Sequence, residues 1–158
     1  MKVAFELNGE PVKVEVEPRT LLADAIRQET GLTGTHVGCE QGVCGSCTVD
    51  FDGTTVRSCL MFCVQAEGHQ VRTVESLGTR PDDMHPVQQA FWDEHGLQCG
   101  FCTPGMLMVT KELLERSPDP TEEQIRAALA GNLCRCTGYV HIVKAVQAAA
   151  EKLRSGSL

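Results

Sequence analysis

With 158 residues, 42% of them apolar and 22% charged, the chain has the make-up of one ordinary soluble domain or two small ones, each with a buried core. A formal net charge of −7 excludes the electrostatic footprint of a nucleic-acid or anionic-lipid binder. No apolar run reaches the length of a membrane span, and the opening MKVAFELNGE has neither the apolar h-region nor the small-residue cleavage site of a secretory leader.

The first half reads as mixed β with one helix. VAFEL and VKVEV alternate around Asn8-Gly9, a strong hairpin signal. Thr20 is the expected cap of a helix over LLADAIRQET, with Leu21, Leu22, Ala25 and Ile26 on one face and Gly31 past its end. TVDFDGTTVRSC gives two short strands around Asp52-Gly53, and QVRTV at 70–74 a last strand. Two hairpins, a helix and a late strand predict a small β-grasp-like sheet crossed by the helix.

From about residue 77 the composition changes. SLGTRPDDMHP is rich in turn formers and reads as a linker, placed at 77–84. Four helices are expected beyond it. VQQAFWDEHG is a short one. TPGMLMVTKELLERS has Thr103 as its expected cap and Pro104 at the first helical position. TEEQIRAALAGN opens with Thr121 and Gln124 at capping-box spacing and closes at Gly131. Tyr139, Ile142, Val143, Val146, Ala150 and Leu153 form the apolar stripe of a C-terminal helix. The fold class is therefore α+β, a sheet domain at 1–76 followed by a four-helix domain at 85–158.

Nine cysteines without a secretory leader point to a reducing, cytoplasmic setting, where clustered thiols bind metal more often than they pair as disulfides. Cys39, Cys44 and Cys47, with Cys59 further on, follow the C-x4-C-x2-C spacing of plant-type [2Fe-2S] sites. Two sulfide-bridged irons need four converging thiolates and a loop wrapped tightly enough for its N–H groups to face sulfur. Gly38, Gly42 and Gly45 permit that approach. A zinc site would instead draw on two short cysteine pairs. The second half carries Cys99 and Cys102, then Cys134 and Cys136, each pair just before an expected helix whose N-terminus favours an anionic group. Alone, that C-x-C spacing also fits zinc or copper. Cys63 is either a spare ligand, on one helical face with Cys59, or a small buried apolar residue.

GCEQGVCGSCTV, LQCGFCTPGM and GNLCRCTGY, in that order, resemble the two-cluster iron–sulfur subunit of the molybdenum hydroxylases, the xanthine oxidase family. Small chains of aerobic carbon monoxide dehydrogenases and bacterial N-heterocycle dehydrogenases are the most similar. The resemblance covers nearly the whole chain. It implies a ferredoxin-like β-grasp domain and a four-helix domain, each holding one [2Fe-2S] cluster. It also implies that Gln98 and Cys136 contact the pterin of a molybdenum cofactor on a large partner subunit. Electrons would pass through the Cys99/Cys102/Cys134/Cys136 cluster to the Cys39/Cys44/Cys47/Cys59 cluster, and on to FAD of a medium subunit or another acceptor.

Apart from that resemblance, Gln98 is an ordinary polar residue at a helix–loop junction. Arg135 could offset cluster charge or face solvent, His36 could tune the first loop or be exposed, and Tyr139 packs a helix start. No GxGxxG, P-loop or GxSxG is present, and no paired carboxylates mark acid–base chemistry, so no catalytic residue is expected here. Lacking flavin and molybdenum domains, the chain is expected to serve as one subunit of a hetero-oligomer, such as a dimer of heterotrimers, and to expose apolar docking surface on its helical half. The competing readings are a free ferredoxin-like shuttle and a zinc-stabilised interaction module.

Overall fold

The structure, a computed structural model, describes residues 1–156. Strands β1 (Lys2–Leu7) and β2 (Glu10–Glu15) pair antiparallel around Asn8 and Gly9. Both turn residues are left-handed, at φ 54° and 88°, which is the twist a two-residue hairpin requires. Alternation sends Val3, Phe5 and Leu7 inward. After helix α1 (Leu22–Glu29) come β3 (Thr48–Phe51), β4 (Thr54–Arg57) and β5 (Gln70–Arg72). The sheet order is β2-β1-β5-β3-β4, with β1 parallel to β5 and every other pair antiparallel. Leu22, Ala25 and Ile26 of α1 close over Val3, Val49 and Val71 to make the first core.

The helices are α2 (Pro86–Asp93), α3 (Thr103–Arg116), α4 (Glu122–Leu129) and α5 (Val140–Ser155). Val87, Phe91, Met106, Ile125, Ile142 and Val146 are wholly buried in a second core. Each such side chain contributes about 1.5–3 kcal/mol of apolar burial. Leu77 already belongs to this core. The last two residues of the expected helical domain, 157 and 158, lie outside the described residues.

Several local expectations are corrected. Thr20 does not cap α1. The cap position is Leu21, which bridges to Phe62, and the Leu22 N–H donates to Met61 O at 2.8 Å, so a backbone carbonyl does what a hydroxyl was expected to do. Thr103 is the first helical residue of α3 rather than its cap, because Cys102 is already in right-handed helical geometry. Leu153 is 42% exposed and leaves the α5 stripe, whereas Ile142, Val143, Val146 and Ala150 keep to it. The capping box does form: Thr121 Oγ1 accepts from Gln124 N, and Gln124 Oε1 accepts from Thr121 N. His85, not anticipated, caps α2 by accepting the Val87 N–H on Nδ1 at 3.2 Å.

Helix α3 crosses the sheet at β3 and β4 and locks the two halves together. Lys111 Nζ lies 3.7 Å from Asp50 Oδ2, with only 13% and 11% of the two side chains exposed. Glu112 accepts from both the N–H and the hydroxyl of Thr55, and Arg116 Nη2 donates to Thr54 Oγ1 at 3.3 Å. At the first turn of α3 the backbones meet directly: a Cβ on Gly105 would stand 2.2 Å from the carbonyl oxygen of Gly45. Gly105→Ala is therefore expected to lower stability by about 3 kcal/mol through overpacking against rigid backbone. Gly9→Ala, where a Cβ meets nothing within 4 Å, should cost only the left-handed penalty of about 1–2 kcal/mol. Thermal unfolding of the metal-loaded chain ranks the two, and an equal fall in Tm would contradict the steric account.

Candidate metal centres

Cys39, Cys44 and Cys47 lie on the loop entering β3, and Cys59 lies in a short 3-10 turn, Ser58–Leu60, that leaves β4. The β3–β4 hairpin thus brings the fourth thiol back to the first three. Within the loop, Gly42 and Gly45 are left-handed at φ 75° and 77°. These turns aim N–H groups at sulfur: Gln41 N and Cys44 N both donate to Cys39 Sγ at 3.4 Å. Those donors, Cys44 first and then Gln41, lower the Cys39 thiol to about 6, so it is readily the thiolate a metal needs. Burial, with a contact from Cys47, pushes Cys59 up to about 11.

Cys99 and Cys102 lead into α3, and Cys134 and Cys136 into α5. Cys136 Sγ donates to Cys99 Sγ at 3.4 Å. The Phe101 N–H, then that Cys136 donor, lower the Cys99 thiol, while burial pushes Cys102 up to about 12. Burial also opposes ionisation of Cys134, yet its thiol is lowered, because the hydroxyl and N–H of Thr137 donate to its sulfur at 3.1 and 3.5 Å. Tyr139 does more than pack. Its hydroxyl accepts from Cys134 N at 2.8 Å and donates to Asn132 O at 3.2 Å, tying down the ligand loop.

The thiols touch in pairs: Cys39 with Cys44, Cys47 with Cys59, Cys99 with Cys136, Cys102 with Cys134. Two pairs per quartet is the donor set of a two-iron centre, with two thiolates on each metal. Beside Cys102, the hydroxyl of Thr103 is buried without a protein partner and so is free to serve a bound group. The residues present fit two [2Fe-2S] clusters. Cys63 is fully buried in the first core, in a separate 3-10 turn (Cys63–Ala66) from Cys59, so the two do not share a helical face.

Gln98, Cys99 and Cys136 are exposed together, and Gln98 Nε2 donates to Cys136 O at 3.2 Å. Arg135 is exposed. His36 stacks on Phe101 at 5.0 Å and its Nδ1 lies 2.8 Å from Phe101 O, so it ties the first loop to the second ligand loop. Trp92, Phe101, Leu133 and Val140 are large exposed apolar side chains on the helical half, and Val43, Leu60 and Phe62 on the sheet half. Missed in the sequence were the residues that join the loops. The Leu133 N–H donates to Cys44 O at 2.8 Å, and Asn132, taken only as the end of a helix pattern, reaches Gly45. Gly131 is not a left-handed helix stop; it leaves room for Arg57, whose Nη2 would stand 2.6 Å from a Cβ there.

Residues 5–73 match the family described as "2Fe-2S iron-sulfur cluster binding domain", and residues 73–147 the one described as "[2Fe-2S] binding domain". Two such domains in tandem define an iron–sulfur electron-transfer protein. The chain is 51% identical over 148 residues to caffeine dehydrogenase subunit gamma of Pseudomonas sp. strain CBB1, covering 92% of this chain and 88% of that subunit. It is 51% identical over 146 residues to the nicotine 6-hydroxylase small subunit of Paenarthrobacter nicotinovorans, covering 92% and 87%. Among solved structures, a chain of quinoline 2-oxidoreductase from Pseudomonas putida 86 superposes with a TM-score of 0.94 at 48% identity, covering 100% of this chain and 98% of that one. The aldehyde oxidoreductase of Desulfovibrio gigas gives 0.93 at 41% identity, over 99% of this chain but 18% of that much longer one. The chain belongs to the two-cluster iron–sulfur small subunits of the molybdenum hydroxylase family, and its role is electron transfer.

Replacing any of Cys39, Cys44, Cys47 or Cys59 with Ser is expected to lower iron from about four toward about two per chain, as is any of Cys99, Cys102, Cys134 or Cys136. Cys63→Ser should keep the full iron content and lose about 1–3 kcal/mol of stability from a buried hydroxyl. Metal and acid-labile sulfide analysis of anaerobically purified material checks both, and iron loss from Cys63→Ser would return it to the ligand set.

Proposed function

We propose that Cys39, Cys44, Cys47 and Cys59 hold one [2Fe-2S] cluster and Cys99, Cys102, Cys134 and Cys136 the other. The first sits in a ferredoxin-like β-grasp domain at 1–76, joined through 77–84 to a helical domain at 85–158. When bound, the two clusters supply one-electron carriers between the molybdenum-pterin site of a large subunit and FAD of a medium subunit or another acceptor. The observation that supports this most directly is the direct contact of the two ligand loops, Leu133 N to Cys44 O at 2.8 Å, within one packed unit.

This chain's residues hold and shield the carriers. Backbone N–H groups and the Thr137 hydroxyl neutralise negative sulfur, and burial of Cys47, Cys59 and Cys102 keeps water from one side of each quartet. Gln98 and Cys136, already hydrogen-bonded to each other on an exposed face, are placed for the pterin of the large subunit. The amide of Gln98 can donate and accept at once, as a pterin edge demands. Phe101, Leu133 and Val140, exposed and within four residues of Cys99 or Cys136 in the chain, supply apolar docking area. A free shuttle has no use for these features. The assembly is placed in the cytoplasm, as a hetero-oligomer such as a dimer of heterotrimers. Caffeine, nicotine and quinoline in the names of its relatives support an N-heterocycle as the substrate, bound on the large subunit.

Purified anaerobically with its partners, the complex should contain molybdenum and, on full reduction, show two electron paramagnetic resonance signals of about one spin each per chain. Gln98→Ala should slow substrate-driven reduction of both signals by about 10-fold while dithionite reduces them normally. A complex without molybdenum, or an unslowed variant, would overturn the respective assignment. Dye reduction with caffeine, nicotinate, quinoline and an aldehyde tests the substrate class.

A further inference from the structure

Both ligand loops are fastened to one closed ring of hydrogen bonds made by residues outside the thiol sets. Arg57 Nη1 donates to Thr48 Oγ1 at 2.6 Å. Thr48 Oγ1 donates to Gly45 O, also at 2.6 Å. The same carbonyl accepts from Asn132 Nδ2 at 3.1 Å. Asn132 Oδ1 then accepts from Arg57 Nη2 at 3.1 Å, closing the ring, and Arg57 Nη2 also donates to Gly131 O at 2.6 Å. Asn132 is 1% exposed, so its amide has no water to fall back on and its partners fix its orientation.

Each member adjoins a proposed ligand. Gly45 follows Cys44, Thr48 follows Cys47, Arg57 lies two residues before Cys59, and Asn132 two before Cys134. Space for the ring exists only because three glycines lack side chains. A Cβ on Gly45 would stand 2.6 Å from Asn132 Cγ and from Gly131 O, one on Gly131 2.6 Å from Arg57 Nη2, and one on Gly105 2.9 Å from Asn132 Nδ2. The forked, planar guanidinium can reach one acceptor on the sheet half and two on the helical half at once, which a lysine cannot. Besides the ring, the Leu133 N–H to Cys44 O bond and the His36–Phe101 stack also join the two loops, while Glu112 to Thr55 and Arg116 to Thr54 grip the far end of β4, next to the Asp52-Gly53 turn.

We propose that Arg57 and Asn132 are positioning residues for electron transfer: their ring fixes the separation and orientation of the two ligand loops, and with them the electronic coupling between the two centres. This rests on the reading that each quartet holds a [2Fe-2S] cluster. Magnetic coupling between two paramagnets depends steeply on their distance and relative orientation, so it reports the ring's effect independently of turnover.

The test uses the complete complex, fully reduced with dithionite, and the splitting of its low-temperature paramagnetic resonance lines. The unaltered protein is expected to show one well-defined splitting, and its absence there would overturn the proposed fixed coupling. Arg57→Gln and Asn132→Ala are expected to keep about four irons per chain yet lose it. Glu112→Gln, which weakens the seam at the far end of β4, is expected to retain it. Arg57→Lys keeps charge and bulk but not the fork. It is expected to lose the splitting as well, and it decides the matter should the other two fail to load iron. Ring variants that hold their iron and show unaltered splitting overturn the proposal. So does Glu112→Gln losing the splitting as they do, since the ring would then be only one part of a general seam. If the unaltered complex shows one paramagnet rather than two, the two-cluster reading itself has failed, and the ring's role fails with it.

Discussion

The tightest constraint in the molecule is steric and lies where the carbonyl of Gly45 rests against the first turn of α3. Neither backbone has room for a side chain there: a Cβ on Gly105 would stand 2.2 Å from that oxygen. Everything else at the seam follows from this approach. The Gly45 carbonyl becomes reachable for Asn132 and the Cys44 carbonyl for the Leu133 N–H, so the two cysteine loops meet through main chain, the Asn132 amide, the Arg57 guanidinium and the His36–Phe101 stack. A protein that only needed to bind two metal centres could tether its halves by a linker. Here the halves are pressed together at the metal loops, and farther along α3 the contact is secured by Lys111 with Asp50 and Glu112 with Thr55.

Each half can tolerate such a fixed seam because each has its own core. The sheet buries Val3, Val49 and Val71 under α1, and the helices bury Phe91, Met106 and Ile142 among themselves. The seam does not have to supply the hydrophobic stabilisation, so it can be polar. That polarity serves the site. Anionic sulfur needs donors, and the loops meet its charge mostly with backbone N–H groups, which do not titrate and cost little conformational freedom once the loop is folded. It also explains how an acidic chain can host two anionic groups: the neutralisation is local and dipolar and does not depend on net charge.

How much could be read from the sequence tracks the range of the interaction. The two cysteine quartets proposed as ligands stand out because a loop that wraps a metal centre sets thiol spacing along the chain, and the Asn8-Gly9 hairpin and the Thr121 capping box were legible because each is settled within a few residues. Thr20 and Thr103 misled because a hydroxyl before an apolar run is only one way to satisfy a helix entrance. At α1 the chain arrives from a bridge with Phe62, and Met61 O takes the N–H instead. Arg57 and Asn132 carried no local signal: they are 75 residues apart, and Asn132 is 87 from Gly45. Their roles exist only after two domains have folded and docked. The glycines of the second half were visible as letters, but a glycine kept for close approach looks the same in sequence as one kept for a turn, and Gly131 was read as the wrong kind.

The seam also decides which sulfurs remain near the outside. With the loops joined back to back, Cys47, Cys59 and Cys102 are buried, while Cys99 and Cys136 stay exposed and Cys39 and Cys44 partly so. Large apolar side chains stand next to those outer thiols in the chain: Phe101 and Leu133 by the second quartet, Val43 and Leu60 by the first. Leu60 lies across Gly42, where a Cβ would meet it at 2.3 Å, so even this exposed leucine is held against the metal loop. Each quartet thus has large apolar side chains beside its outer thiols in the chain and a polar, hydrogen-bonded joint between its loop and the other's. A carrier open to the outside at one quartet alone would be a terminus for electrons; thiols at least partly exposed in both, joined through the seam, suit a chain whose role is to pass electrons on.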